Sequence, residues 1–374
     1  MQRRIRALNL SSAWGGGHVQ TCINLLKGMR GAGGEVHLDL IRARTDMGEV
    51  PFRTTFRGPL ARYGLRRFEP MLRAPTERRF LAGLRQDDIA WLWPTVSLAT
   101  YREVHRRGNP IVMEGINCRI ASARRDLDAA YAAEGLVDPD RLEDARIAEE
   151  EEMLSMASHI FAPNAHVEAA LKEADTRFAG RILPASYGAW MAKARPRSSR
   201  SGDQPLTVLF VGRVSLPKGA HLLLRAWAKA APKRARLRFC GRISPVVAEL
   251  CADELNRDDV ETPGFVRDIG EMYRTADVFV MPSLSEGGPQ VIYEAAAYGL
   301  ALLASPMGSG RLGQWSDAIL PFDPYDVDGF ADALHRVLTD EGLLSELSAR
   351  TRRAAPRYDW SDVGQSRLES LRDL

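Results

Sequence analysis

Short apolar runs alternate along the chain with longer segments in which apolar residues recur every three to four positions. Runs of the first kind, bounded by turn or polar residues, predict buried β-strands, and segments of the second kind predict amphipathic helices. In the first half of the chain the predicted strands fall at 5–10, 35–41, 89–93, 110–113 and 159–162, and the predicted helices at 18–29, 141–157 and 165–174.

The alternation stops at residues 195–205, which are polar, contain two prolines and show no apolar periodicity, so they predict a linker. It then resumes, and the last stretch, 327–374, predicts helices only. The strands of this second series fall at 206–211, 237–240, 260–261, 278–281 and 301–304, and its helices at 219–231, 245–255, 269–276 and 289–298.

Strands that alternate with helices imply parallel sheets covered by helices on both faces. Two such series joined by a linker predict an α/β protein with two doubly wound, Rossmann-like domains that face each other across a cleft. We expect the first domain at 1–194 and the second at 206–355, and we expect residues 356–374 to form a C-terminal helix that packs back on the first domain.

Composition narrows the class of protein. The 374 residues, 45% hydrophobic and 26% charged, suffice for two domains with a sizeable core each, and no apolar run approaches the roughly 20 residues that a membrane span needs. The basic start MQRRIRALNL lacks the long apolar segment of a cleaved signal peptide. Four cysteines without metal-ligand spacing are too few for a disulfide scaffold and indicate reduced thiols in a cytosolic protein.

Charge argues against a nucleic-acid partner, because 51 basic residues nearly cancel 48 acidic ones and leave a net charge of +3. The charges are nevertheless unevenly placed. Residues 53–85 contain nine arginines and two glutamates, whereas residues 126–152 contain eleven acids and two arginines. Both runs are compatible with solvated helix faces, and the basic run also suits contact with an anionic surface.

Candidate chemistry begins at the end of the first strand, where Gly15, Gly16 and Gly17 precede a helix. Glycines there let the backbone approach a ligand closely and the helix N-terminus favours an anion, although many such turns use glycine for geometry alone. Arg213 and Lys218 follow the first strand of the second series, in the segment GRVSLPKG. Two cations at the carboxyl end of a strand suit a diphosphate; the alternative is a pair of exposed surface cations.

Segment 277–305 carries two carboxylates eight residues apart. Glu286 lies in a loop before residues 287–289, and Glu294 lies inside the helix that these residues open. Such a loop presents backbone N–H groups to an oxyanion and a carboxylate to sugar hydroxyl groups. Acids near a helix start also occur because the helix dipole favours them, but the two cations in the same domain favour the binding interpretation.

The segments GRVSLPKG, Gly264-Phe265-Val266 and Glu-x7-Glu stand in the order and spacing of the retaining glycosyltransferases of family 4, which the chain resembles over nearly its whole length. The resemblance implies a GT-B fold, with the first domain on the acceptor side and the second binding a nucleotide-sugar donor. It implies transfer of a hexose-type sugar, with retention of configuration, to a glycan or lipid-linked acceptor.

The resemblance also gives each matching position a role. Arg213 and Lys218 match the pair that neutralises the donor diphosphate, and Glu286, beside the transferred sugar, joins them as the third catalytic position. Glu294 matches the carboxylate that holds the ribose hydroxyl groups. The other donor-binding positions implied are Gly16, Gly17, Val266, Arg267, Gly287, Gly288, Pro289 and Gln290.

The first domain departs from the family pattern at the strand IVMEGINCR, where relatives often carry a histidine near the reacting sugar. Glu114 and Asn117 stand there instead, and His18 and His105 are the nearest histidines in sequence. We therefore expect Glu114, Asn117 and His18 on the acceptor side. Arg267 stands where some relatives have an acid, which favours a UDP-sugar over a GDP-sugar as donor.

Two alternatives share the nucleotide-sugar site with the transferase. One is an epimerase of GT-B fold, which needs no acceptor, and the other is a catalytically silent binding subunit. No metal-ligand cluster is visible in the sequence, and two cations can stabilise a departing diphosphate as a metal does. We therefore expect neither a metal nor a cofactor.

The basic run at 53–85 interleaves arginines with apolar side chains and suits reversible contact with anionic lipid. We therefore expect a cytoplasmic protein that can also bind peripherally to the inner face of the cytoplasmic membrane. Prolines at 59, 70 and 75 exclude one long helix in this run and favour short helices or a loop.

Overall fold

The computed structural model of the chain describes residues 3–13, 17–43, 46–56, 69–194, 204–372 and 374. Most of the predicted linker, residues 195–203, and the middle of the basic run, residues 57–68, lie outside the described residues. Within the described residues, strands alternate with helices and form two parallel sheets. No helix among them is both long enough and apolar enough to cross a bilayer.

The first domain contains a parallel sheet whose described strands number seven, in the order β3-β2-β1-β4-β5-β6-β7. The strand order reverses between β1 and β4, and ligands of open α/β sheets bind at the carboxyl ends of the strands beside such a point. The elements are β1 (Ile5–Ala13), α1 (Gly17–Gly31), β2 (Val36–Ala43), β3 (Phe52–Thr54), α2 (Glu69–Gly83), β4 (Ile89–Leu92), α3 (Leu98–Arg106), β5 (Ile111–Glu114), α4 (Ile120–Ala133), α5 (Asp144–Met156), β6 (His159–Ala162), α6 (Ala165–Ala174) and β7 (Ile182–Pro184).

The second domain contains a parallel sheet with six described strands in the order β10-β9-β8-β11-β12-β13, which reverses between β8 and β11. Its elements are β8 (Leu206–Val211), α7 (Ala220–Ala230), β9 (Ala235–Cys240), α8 (Pro245–Leu250), α9 (Ala252–Leu255), β10 (Val260–Gly264), α10 (Ile269–Arg274), β11 (Val278–Met281), α11 (Gln290–Ala297), β12 (Ala301–Ala304), α12 (Gly310–Trp315) and β13 (Ile319–Pro321), followed by α13 (Val327–Thr339), α14 (Glu341–Ala354) and α15 (Trp360–Glu369).

The structure differs from the predicted elements where local context overrides the pattern. The predicted helix at 245–255 is two helices, because Cys251 has φ −128° and ψ 36° and interrupts the turn between α8 and α9. Pro75, which was expected to interrupt the basic run, lies inside the helix α2. The buried side chains of Thr76 and Phe80 lie on the face of α2 that packs against β1 and β2. The elements that periodicity did not indicate include three strands of three residues each, but also two long helices, α2 and α4; the full set is β3, β7, β13, α2, α3, α4 and α12.

The C-terminal helix α15 packs against α1 of the first domain. The two helices touch through their backbones, since a Cβ atom on Gly28 would overlap the Trp360 carbonyl oxygen and one on Gly364 would overlap the backbone of Gly28. Side chains larger than hydrogen at either position would force the helices apart. The chain therefore crosses from the second domain back to the first before it ends.

A buried arginine ties the second domain to the first on the other side of the interface. Arg311, on α12, donates to the carbonyl oxygens of Ala185 at 3.2 Å and Ala162 at 2.9 Å, and to Glu168 at 2.7 Å. Its guanidinium group is almost fully buried and also donates to the Gln314 side chain on its own helix, while Glu168 of the first domain carries the counter-charge. This contact and the α1–α15 contact both join the two domains that flank the cleft.

Candidate active site

The strand order of the second sheet reverses between β8 and β11, and the loops that follow these two strands carry Lys218 and Glu286, two of the predicted site residues. Lys218 ends a 3₁₀ turn, Leu216–Lys218, that follows β8, and Glu286 lies in the loop that follows β11. The Lys218 ammonium group forms an ion pair with the Glu286 carboxylate. The two residues that the sequence assigned to diphosphate and sugar are thus direct partners of each other.

Backbone contacts hold these two loops together. The amides of Leu284 and Ser285 donate to the Pro217 carbonyl oxygen at 2.9 and 3.2 Å. Gly219 has φ +65° and lies so close to Pro282 that a Cβ atom would overlap the Pro282 carbonyl oxygen. The glycine of GRVSLPKG is therefore needed to bring Lys218 beside the β11 loop.

The glycines after Glu286 let this loop touch the first domain. A Cβ atom on Gly287 would overlap the Ile116 carbonyl oxygen and the backbone of Asn117, and one on Gly288 would overlap the Tyr187 ring. Pro289 caps the N-terminus of α11. Gly287 and Gly288 therefore have a packing reason as well as the ligand-binding reason that the sequence suggested.

Glu294 is held by a chain of hydrogen bonds that spans the cleft. The Tyr273 hydroxyl group donates to its Oε2 atom at 2.9 Å, and the Gln290 side-chain amide donates to its Oε1 atom at 2.9 Å. Thr21, on α1 of the first domain, donates in turn to the side-chain Oε1 atom of Gln290 at 2.8 Å. Burial raises the pKa of the Glu294 carboxyl group, and the bonds from Tyr273 and Gln290 oppose that shift.

A cavity of about 620 Å³ opens beside this chain of hydrogen bonds, between α1 and the α10–α11 region. Its size falls within the range of small-molecule sites. Polar side chains converge on it from both domains. Its lining includes Gly17, Gln20, Asn24 and Lys27 from the first domain and Gly270, Tyr273, Gln290, Glu294 and Tyr298 from the second.

The first glycine turn lies at the edge of this cavity. Gly17 begins α1 with φ +67°, a conformation that glycine adopts without strain, and Gly16 lies outside the described residues. His18 follows, and its Nε2 atom lies 2.9 Å from the Ser11 hydroxyl group at the end of β1. Burial lowers the pKa of His18, so its ring is neutral near pH 7.

The remaining donor-side positions lie along the carboxyl ends of β8 and β10. Arg213 is exposed after β8, with its guanidinium group near the Tyr131 phenol of α4. Val266 is half-buried after β10 and packs against the core, whereas Arg267 is exposed. The strand β9 separates these two groups, so Arg267 does not lie beside Arg213 in the sheet order.

Glu114 does not have the acceptor-facing position expected from the sequence. Its carboxylate accepts a hydrogen bond from the Tyr187 hydroxyl group at 2.8 Å and two from the Arg367 guanidinium group, at 2.9 and 3.1 Å. Its side chain has no exposed surface. Both oxygens are therefore engaged inside the protein, where they join α15 to the first domain, and neither is free to meet an acceptor.

Asn117 is exposed at the cleft, where it adjoins both Gly287 and a second cavity of about 520 Å³ that the first domain alone forms. In this cavity burial raises the pKa of Glu150 to about 7, although the Ile120 amide donates to its carboxylate. Thr95, which also lines it, has φ +81°, a strained conformation for a non-glycine residue that is common at functional sites. The lining further includes Arg73, Glu77, Ser97, Arg119, Arg146 and Glu149.

Sequence reasoning missed the residues whose role depends on distant partners. No local sequence pattern indicates the role of Tyr273, because its hydrogen bond to Glu294 joins two separate helices. Thr21 could have been found, since Gln20, Thr21, Asn24 and Lys27 form a polar stripe at helical spacing along a helix that is otherwise largely apolar. No group of three or more His, Cys, Asp or Glu side chains among the described residues is arranged to hold a metal ion.

Part of the chain, including the loops of this site, is similar to proteins named as glycosyltransferases. Residues 205–340 match a family model described as Glycosyl transferases group 1. The chain is 31% identical over 185 residues to the D-inositol 3-phosphate glycosyltransferase of Xylanimonas cellulosilytica, a match that covers 47% of this chain and 44% of that protein. It is 35% identical over 170 residues to the phosphatidyl-myo-inositol mannosyltransferase of Mycolicibacterium smegmatis, which covers 42% of each. The chain spans about half the length of the curated relatives that it matches.

Solved structures match the chain from end to end. Sucrose-phosphate synthase from Thermosynechococcus elongatus superposes with a TM-score of 0.74 at 19% identity, over 99% of this chain and 98% of that one. Alr3699/HepE of Anabaena, in complex with UDP and glucose, superposes with a TM-score of 0.70 at 16% identity over the whole of both chains. The two-domain, Rossmann-like GT-B fold expected from the sequence is confirmed.

Proposed function

We propose that this protein transfers a sugar from a nucleotide-sugar donor to an acceptor hydroxyl group, with retention of configuration at the transferred carbon. The observation that carries the proposal is the set of groups at one cleft: the Lys218–Glu286 ion pair, the N-terminus of α11 and the buried Glu294 carboxylate. The family match at 205–340 covers all of these groups.

In this proposal Arg213 and Lys218 bind the donor diphosphate at the N-terminus of α11. The backbone N–H groups of Gly287, Gly288 and Gln290 bind it there as well. Negative charge on the diphosphate grows as the bond between its oxygen and the sugar carbon breaks. Cations and amides that are already in place therefore stabilise the transition state more than the bound donor. We assign no metal and no cofactor to this step.

In this proposal donor binding breaks the ion pair between Lys218 and Glu286, and both groups then bind the donor. A diphosphate competes with the Glu286 carboxylate for the Lys218 ammonium group. The released carboxylate then accepts hydrogen bonds from hydroxyl groups of the sugar and orients it for attack from the side that the diphosphate leaves. We assign no nucleophile to the protein.

Glu294 binds the ribose hydroxyl groups, since it lines the 620 Å³ cavity while hydrogen bonds from Tyr273 and Gln290 fix the orientation of its carboxylate. The loop of Val266 and Arg267 lies at the end of β10 and holds the base. An arginine rather than an acid at this place suits the carbonyl oxygens of uracil, so we propose UDP rather than GDP as the nucleotide.

The acceptor, a glycan or a lipid-linked sugar, enters from the first domain. Because the Glu114 carboxylate is engaged by Tyr187 and Arg367, we assign the acceptor to Asn117 and the rest of the 520 Å³ cavity that Glu114 and Asn117 both line. His18, at the start of α1, remains a proposed acceptor-side residue. We also propose reversible contact with anionic membranes through the described ends of the basic run. Exposed basic and apolar side chains occur together there, namely Arg53 beside Phe52, and Met71 with Arg73 and Arg78.

A panel of nucleotide sugars tests the proposal, with thermal shift for binding and release of nucleoside diphosphate for turnover. A donor at 100 times its dissociation constant should raise the free energy of unfolding by about 2.7 kcal/mol. Acceptor-dependent release of the diphosphate supports transfer. Interconversion of sugar isomers without an acceptor would indicate an epimerase, and binding without any turnover would indicate a silent subunit; both contradict the proposal.

A further inference from the structure

The loops after β8 and β9 continue side by side beyond the sheet. Val211 pairs with Cys240 in the parallel ladder, and an isolated bridge three residues later pairs Val214 with Ile243 at the same offset. The Val214 amide donates to the carbonyl oxygen of residue 242 at 2.9 Å. The register therefore continues without a shift and sets residue 213 opposite residue 242.

Both loops have the sequence Gly-Arg at this point. Gly212 has φ +142°, and a Cβ atom on Gly241 would overlap the Gly212 carbonyl oxygen. The two glycines thus allow a backbone contact that no other residue permits at 241. Parallel neighbours lie about 4.8 Å apart, and in-register side chains project to the same side of the pair, so Arg213 and Arg242 are adjacent.

These two arginines have no anionic partner within the described part of the chain. Both are exposed, and neither guanidinium group has a hydrogen bond or an ion pair with a described residue. Arg236 and Arg238, on the same strand β9, share the Glu261 carboxylate instead. Two positive charges on directly opposite residues repel each other, which destabilises the protein without a ligand. An anion that binds between them removes this repulsion.

We propose that Arg242 is a further donor-binding residue, which forms with Arg213 one site for the donor diphosphate at the ends of β8 and β9. This inference rests on the proposed function. The β8 loop borders the reversal point of the strand order, and five residues beyond Arg213 it carries Lys218. The guanidinium groups present planar pairs of donors that match phosphate oxygens, whereas Lys218 supplies a point charge.

Isothermal titration calorimetry with UDP, GDP, inorganic pyrophosphate and uridine tests the assignment. Arg242→Ala should weaken binding of the nucleoside diphosphate roughly 10- to 100-fold, as expected for loss of one charge-assisted contact, and leave uridine affinity unchanged. Arg242→Lys should recover part of the loss. Arg336→Ala, which removes an exposed positive charge from α13 of the same domain, should bind like the wild type.

The outcomes separate this inference from the proposed function. If the wild type binds a nucleoside diphosphate and Arg242→Ala binds it within about twofold of that affinity, the role of Arg242 is overturned and the proposed function stands. An equal loss of uridine affinity would overturn the diphosphate assignment, because it would place Arg242 at the nucleoside. A wild type that binds neither UDP nor GDP would refute both proposals.

Discussion

Replacing Glu114 by alanine distinguishes a structural group from an acceptor-side group. The carboxylate accepts three hydrogen bonds, one from Tyr187 and two from Arg367, and both charged side chains are at most 2% exposed. After the change Arg367 would keep the Ser186 carbonyl oxygen, at 3.1 Å, and contacts of its guanidinium group with the Phe161 and Tyr187 rings, but no carboxylate. A buried positive charge would then have no counter-charge.

Removing one partner of a buried ion pair costs about 3–5 kcal/mol, because the remaining charge stays desolvated. That is a large part of the 5–15 kcal/mol that stabilises a typical domain. We expect urea denaturation of Glu114→Ala, followed by fluorescence, to show a midpoint lower by about 1 M or more. Glu103→Ala is the matched control, since its pairs with Arg106 and Arg107 lie at the surface and contribute little.

The double variant Glu114→Leu with Arg367→Met should recover most of the lost stability, because apolar groups of similar volume often replace a buried pair without cost. Sugar transfer by this double variant should approach that of the wild type. The reasoning would be refuted if Glu114→Ala unfolded at the same urea concentration as the wild type but lost sugar transfer. That result would show that Glu114 acts on the acceptor and does not stabilise the fold.

Three further predictions concern the donor, pH and lipid. Glu294→Gln should weaken binding of free UDP roughly 10- to 100-fold, whereas Glu286→Gln should spare UDP binding and lower turnover; calorimetry that showed equal losses would contradict this division. Burial lowers the pKa of His37 to about 4, against about 6.5 in an unfolded chain, so the unfolded state binds more protons between these values. Acidification from pH 7 to 5 should therefore lower the free energy of unfolding by on the order of 2 kcal/mol through His37. A His37→Asn variant with the same pH profile as the wild type would exclude that cause. Anionic vesicles should sediment the protein at low salt and release it at high salt, and Arg73→Ala with Arg78→Ala should weaken the binding; equal binding to neutral vesicles would contradict an electrostatic contact.

The sequence by itself determined the architecture and the position of the donor loops. Alternating apolar runs and helical periodicity depend on neighbours a few residues away, so they predicted most strands and many of the helices, although α2 and α4 were missed. Lys218, Glu286 and Glu294 could be identified for a related reason. Each lies within a few residues of a strand end or a helix start, and short loops leave little choice of where those residues go.

Only the tertiary structure decided which of these residues are partners. The Glu114 carboxylate meets Arg367 across 253 residues of chain, and Thr21 meets Gln290 across 269. No local pattern encodes such a contact, because it depends on how the two domains and α15 pack. The same holds for Arg242, which becomes significant only when the register of β8 and β9 sets it beside Arg213. Whether a charged residue faces a ligand or an internal counter-charge is thus a property of burial, which the chain acquires when it folds.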